Sequence, residues 1–184
     1  MQLAVKTFLF KAYKLFLQCM EEDKHFRRVQ WVMRPDVQAQ AVTVVGSILW
    51  TKTTEDDIAM HGDEPCEGLT ISLHEHVSNL ADLTKEVAKL DMEPKKRKAV
   101  VALITQDVHY RDILEELIAD QVESPNDFKW QMQLRYNFES STDQVKVKQV
   151  NAELGYANEY MGCTTRLVIT PLTDRCWMTI TGAL

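Results

Sequence analysis

The side chains of this chain that could do chemistry fall into four clusters, and spacing decides what each can do. His74 and His76 stand two residues apart. On a strand or loop they could share a metal. On a helix they diverge by roughly 200°, from a period of 3.6 residues. The surrounding pattern is helical and no third ligand is evident, so no metal is expected. His109-Tyr-Arg-Asp112 has the letters of a kinase catalytic loop. It lacks the downstream asparagine and any glycine-rich loop, and it falls inside a predicted helix. A structural histidine and an arginine–acid helix pair are the expectation. Pro94-Lys-Lys-Arg-Lys98 matches a basic nuclear-localisation pattern, but it opens a helix and reads as a solvated face. Glu55, Asp56, Asp57, Asp63 and Glu64, with Gly62 and Pro65, lack the spacing of a calcium loop and read as solvated charge in a loop or helix end over 52–66. No GxxxxGK[ST] run occurs. Nothing therefore supplies the amides and lysine that hold β- and γ-phosphates. No catalytic residue is expected, and the chain by itself is not expected to hydrolyse ATP.

The elements that must carry these clusters are mostly helices. The chain has 184 residues, 45% hydrophobic and 26% charged, which suits one domain or one and a half. A net charge of -6 argues against nonspecific nucleic-acid binding. Cys19, Cys66, Cys163 and Cys176 are widely spaced, which fits reduced thiols better than a disulfide framework or zinc site. No apolar run approaches the roughly 18 residues of a membrane span. Lys6, Lys11 and Lys14 break the apolar N-terminus, so no signal peptide is read there.

Residues 3–22 predict a helix apolar over more than one face, which should pack on both sides. A second helix is expected to begin at Pro35, with Gly46 loosening it and Trp50 anchoring it. Residues 67–91 form the clearest helix. Leu69, Leu73, His76, Leu80, Leu83, Val87 and Leu90 make a narrow seam, with His76 its one polar member. Met92-Glu-Pro94 breaks it, and a further helix from Lys95 to about Asp120 completes an antiparallel hairpin over 67–120. Ser124-Pro-Asn-Asp127 predicts a helix start with Ser124 as cap. The period then changes to two. Residues 134–139 and 144–150 flank the turn-rich Ser140-Ser-Thr-Asp143, giving a β-hairpin over 134–150.

Near the C-terminus, Arg166 to Ile169 is a short apolar run that favours an extended segment. Thr170 precedes Pro171, which biases it to β or polyproline geometry. Thr173 or Asp174 could cap a helix through Trp177 to Leu184. A strand, a proline-fixed bend and a helix start can hold a flat apolar ring. On the residues alone, a buried connector is the favoured reading.

Arg166-Leu-Val-Ile-Thr-Pro-Leu-Thr-Asp-Arg-Cys-Trp-Met-Thr179 resembles the opening of the first AAA+ module of dynein heavy chains, whose phrase "RLVITPLTDRC" runs into the nucleotide-binding loop. Tyr156-Ala-Asn-Glu-Tyr-Met-Gly162 is similar to that family's "YGYEYLG". Val29 to Thr51, Val108-His-Tyr-Arg-Asp112 and the run from Ser124 to Phe138 resemble phrases of the dynein linker. The resemblance covers about residues 29–184 and is most like the axonemal branch. It implies a mainly α (α+β) chain with residues 1–152 as the distal linker and 153–184 as the truncated start of the first AAA+ module.

The resemblance also implies an adenine pocket lined by Leu167, Val168, Ile169, Thr170, Pro171 and Leu172. ATP or ADP with Mg would be the cofactor of the complete motor, with none for this segment alone. The implied partners are the AAA+ ring of the same heavy chain, microtubules, and dynein intermediate and light chains, with no nucleic acid and no membrane. The implied setting is the cytoplasm, cytoskeleton and ciliary or flagellar axoneme. A linker swings across the ring as nucleotide changes, and Trp31, Trp50 and Trp130 suit such a lever. The competing expectation is a standalone non-catalytic interaction protein that binds a partner through the 67–120 hairpin. As part of a larger machine, the N-terminal helix and the Arg166–Leu184 segment should expose apolar surface.

Overall fold

The computed structural model describes residues 1–60, 66–89, 91–162 and 170–183. Among them are seven helices: α1 (Gln2–Glu22), α2 (Arg28–Val32), α3 (Ala39–Ile58), α4 (Glu67–Val87), α5 (Pro94–Ala119), α6 (Phe128–Gln131) and α7 (Pro171–Ala183). Three strands, β1 (Arg135–Glu139), β2 (Gln144–Gln149) and β3 (Ala152–Gly155), form one antiparallel sheet in the order β1-β2-β3. The chain is mainly α with one small sheet, as expected. It divides into two compact units, and α3, α4 and α5 each contribute to both.

The first unit comprises the described residues of Met1–Gly46, His76–Val108 and Ala157–Arg166. Val5, Leu9, Ala12 and Phe16 bury one face of α1 at steps of four and three. The expectation that α1 packs on both sides is corrected: Leu3 and Met20 remain exposed, and the Lys14 ammonium lies 4.1 Å over the Phe10 ring. Phe16 meets Phe26 and Trp31 edge-on, both at 5.4 Å. The Trp31 indole donates to Ala12 O at 3.1 Å, so the buried ring keeps its one polar atom satisfied. Helix α3 begins at Ala39 and not at Pro35, which lies in a turn. Gly46 does not loosen α3. A Cβ there would meet Leu103 Cδ1 at 3.3 Å, so its role is a close approach to α5.

Helices α4 and α5 run antiparallel here. His76 contacts Asp107 O, while further along Arg97 donates to Val87 O and Lys89 O. The seam is borne out at Leu69, His76 and Leu83, which are buried, with Leu73, Leu80 and Val87 half-buried. Leu90 lies outside the described residues. Asp107, whose side chain is fully buried, pairs with Arg28.

The second unit comprises the described residues of Ser47–Glu75, His109–Tyr156 and Leu167–Leu184. Its core joins Trp50, Ile58, Cys66, Leu69, Tyr110, Ile113, Leu114, Leu117, Val122 and Trp130. Trp50 stacks on Tyr110 at 3.9 Å and leans on Trp130 at 5.3 Å. The Tyr110 hydroxyl donates to Ser47 Oγ at 2.9 Å. Residues 52–58, part of the 52–66 stretch read from sequence as loop or helix end, continue α3. Gly68 packs against that helix so closely that a Cβ would sit 2.6 Å from Asp57 O.

The end of α5 uses a left-handed residue, Gln121, at φ 51°. Val122 N then bonds Leu117 O and Gln121 N bonds Ile118 O. This Schellman closure places Val122 beside Leu117 in the core. The next helix corrects the sequence reading: α6 starts at Phe128, with Asp127 capping Lys129 N at 2.8 Å. Ser124 instead closes a turn, its Oγ accepting from Asn126 N.

The hairpin lies where period two placed it, from Arg135↔Lys148 to Glu139↔Gln144. The sequence reading missed β3, which pairs from Lys146↔Gly155 to Gln149↔Ala152 after a tight turn with Val150 at φ 51°. Arg135, almost wholly buried, pairs with Glu55 at 3.6 Å and donates to Gln131 Oε1 at 2.7 Å.

Candidate nucleotide-binding segment

Of the six residues expected to line an adenine pocket, Leu167, Val168 and Ile169 lie outside the described residues, as does the extended run proposed for Arg166–Ile169. The structure places the other three at the start of α7. Thr170 is the last residue before the helix and Pro171 its first. The ring of Pro171 presets φ near its helical value and removes an amide that would have no partner there.

Thr170 closes this end reciprocally with Thr173. Thr170 N donates to Thr173 Oγ1 at 2.8 Å, and Thr173 N donates to Thr170 Oγ1 at 3.3 Å. Asp174 N bonds Thr170 O at 3.0 Å. This has the logic of a capping box, with threonine in place of the usual glutamate. The expectation that Thr173 or Asp174 caps the helix is therefore corrected to Thr170. Asp174 sits in the first turn, where a carboxylate favours the positive end of the helix dipole. The signal for Thr170 was present as Thr-Pro, a cap followed by proline at the first helical position.

Helix α7 presents a large unburied surface. Leu172 is 72% exposed, Trp177 47% and Ile180 53%, and Cys176 is exposed beside them. The Thr181 hydroxyl reaches Gln149 Oε1 of β2 at 2.8 Å. The apolar exposure expected of this segment is observed, as it is for Leu3 and Met20 on α1.

The other clusters resolve into structural roles. The Lys96 ammonium donates to Val37 O at 2.8 Å and Val32 O at 3.1 Å, and to Arg34 O as well. Burial pushes its pKa down. With Arg97 held by Val87 O and Lys89 O, the basic run is not the solvated face its composition suggests: two of its four cations hold backbone carbonyls. His109 to Asp112 lie within α5, where Arg111 pairs with Asp112 at 2.5 Å. His74 and His76 lie on α4, contacting Thr70 O and Asp107 O, each at 2.8 Å. Among the described residues, no group of three or more His, Cys, Asp or Glu could hold a metal ion. No described helix is long and apolar enough to cross a membrane.

Residues 156–184 match the family described as the hydrolytic ATP-binding site of the dynein motor region. The whole chain is 37% identical over 184 residues to the dynein-1-beta heavy chain of the flagellar inner arm I1 complex of Chlamydomonas reinhardtii, 4% of whose length it covers. Over 158 residues, 85% of the chain, it is 38% identical to the flagellar outer-arm dynein beta chain of the same alga and 39% identical to human dynein axonemal heavy chain 1. It covers 3% of the length of each.

Proposed function

We propose that this chain, which belongs to the axonemal dynein heavy-chain family, acts as a linker or lever element joined to the start of a nucleotide-binding module in a microtubule motor. The observation that carries this reading is the match of residues 156–184 to the dynein ATP-binding family, after a mainly helical region that is itself similar to axonemal heavy chains. In this reading residues 1–152 are distal linker and 153–184 begin the first AAA+ module. ATP with Mg belongs to the complete motor, the partners are the rest of the ring, microtubules and accessory chains, and the setting is the axoneme.

The interior supports a lever because its helices are fastened by side chains distant in sequence. Arg28 joins Asp107, Trp31 joins Ala12, and Arg135 joins Glu55. Such cross-ties resist bending within each unit, since deforming one costs a buried polar contact.

Leu167, Val168, Ile169, Thr170, Pro171 and Leu172 would line the base. An adenine offers flat apolar faces and hydrogen-bonding edges. A backbone run can serve the edges while aliphatic side chains cover a face, and exposed Leu172 is available to do so. Such contacts are shared by ground and transition states, so their loss raises KM more than it lowers kcat. Ile169→Ala and Leu172→Ala in a motor-length heavy chain should each weaken ATP binding by about 5- to 150-fold, for roughly 1–3 kcal/mol per buried aliphatic contact. Unchanged affinity with a lowered melting temperature would make the stretch a buried connector instead.

A further inference from the structure

Between β3 and the nucleotide-binding segment the chain runs through residues 156–162 with neither helix nor strand. Glu159, Tyr160 and Met161 are all exposed there. Asn158 at φ 54° and Gly162 at φ 64° are both left-handed, so this short strap turns at each side of the three exposed residues. Exposed side chains do not explain what fixes its path.

The hold comes from beneath. Gln40, the second residue of α3, is 3% exposed. Its Nε2 donates to Glu159 O at 2.7 Å, and its Oε1 accepts from Met161 N at 2.9 Å. In a parallel ladder, one residue of a strand donates to the carbonyl before its neighbour and accepts from the amide after it. The Gln40 carboxamide makes that same pair of bonds around Tyr160. It acts as one rung of a sheet, supplied by a side chain. A carboxamide carries donor and acceptor together, which this pair of bonds requires.

We infer that Gln40 is the positioning residue of this strap: its buried carboxamide latches the backbone of Glu159 and Met161 and so fixes the path of the strap across α3. The latch stands on the two hydrogen bonds and does not require the motor reading. Sequence periodicity could not reveal it, because glutamine at a buried helix position reads as an interruption of the apolar pattern.

The test is residue-resolved amide exchange on the 184-residue chain with two variants. Gln40→Met keeps the volume and offers neither bond. Met161 N–H should then exchange about tenfold faster, as expected for losing one net hydrogen bond, while the amides of Val45 and Leu103 keep their protection. Gln40→Glu keeps the acceptor and can donate only when protonated. Met161 protection, corrected for intrinsic exchange, should therefore rise as pH falls from neutrality to about pH 4, near the carboxyl range, and the unsubstituted chain should show no such trend. An unchanged Met161 amide in Gln40→Met overturns the latch. So does an equal loss of protection throughout the core in both variants, which would make Gln40 an ordinary packing residue.

Discussion

The ten-residue core around Trp50 and Trp130 and the helix α7 belong to the same compact unit, yet they use aromatic residues in opposite ways. Trp130 is wholly buried, leans on Trp50, and its indole N–H reaches Glu55 Oε1 at 3.4 Å. Trp177 is nearly half exposed, and no described residue of α7 is buried. Both regions carry a tryptophan together with aliphatic residues. Apolar spacing thus states that a face is to be covered, and only the tertiary structure states whether this chain covers it. Under the proposed lever reading, the region that completes its own interior is the one that would carry load. The region that leaves its surface open is the one similar to a nucleotide-binding site.

The contrast is sharpest if the two tryptophans are truncated in parallel. Trp130→Ala should cost about 3–5 kcal/mol of unfolding free energy, as for other large-to-small core changes, whereas Trp177→Ala should stay within about 0.5 kcal/mol. Chemical denaturation of both variants measures this. Equal losses would mean that α7 is as much a part of the folded core as α6.

Arg28→Met should also cost about 3–5 kcal/mol, because it leaves the buried Asp107 carboxylate without its cation. Asp107 Oδ1 already has no hydrogen-bond partner among the described residues, so little is left to solvate the charge. Adding Asp107→Leu should recover most of the loss. A double variant no better than the single one would show that the pair itself stabilises the first unit.

Thr170→Ala should weaken α7 by about 1 kcal/mol through loss of its cap. The readout is faster exchange of the amides from Thr173 onward, with the Trp130 core unaffected. A global loss would show that α7 folds together with that core.

The smallest effect concerns Asp57. Burial raises its pKa, with the Ser72 hydroxyl opposing, and its Oδ2 has no hydrogen-bond partner among the described residues. A carboxyl with a raised folded pKa contributes stability that is complete below its unfolded value, near 3.9, and is lost as pH rises through the folded value. Asp57→Asn should therefore raise Tm slightly at pH 7 and change it less at about pH 4. A lower Tm at neutral pH would mean that the carboxylate is held by a favourable partner.

Much of this fold was legible because its signals are local. The α4 seam and the switch to period two at Leu134 depend on residues three, four or two apart, and burying one face follows from that spacing. Helix α5 shows where legibility thins. Its Val100, Leu103, Leu114 and Leu117 are buried at helical spacing, but Tyr110 enters the core through a stack on Trp50, sixty positions away in sequence.

Sequence by itself determined the helical character, the hairpin and its turn, and the kinship carried by Arg166 to Thr179. Those rest on backbone propensity and on the order of rare residues, which a single strand of text contains. Tertiary structure decided the rest. It set where helices start, because Thr170 and Asp127 hold orphan amides at the helix ends that other nearby side chains could also have capped. It turned Lys96 from a surface charge into a clasp on three carbonyls and Gln40 from an interruption into a latch. Each of these is a polar contact between residues far apart in sequence. A buried donor or acceptor must find a partner, but nothing in the local pattern says which one folding will bring within reach.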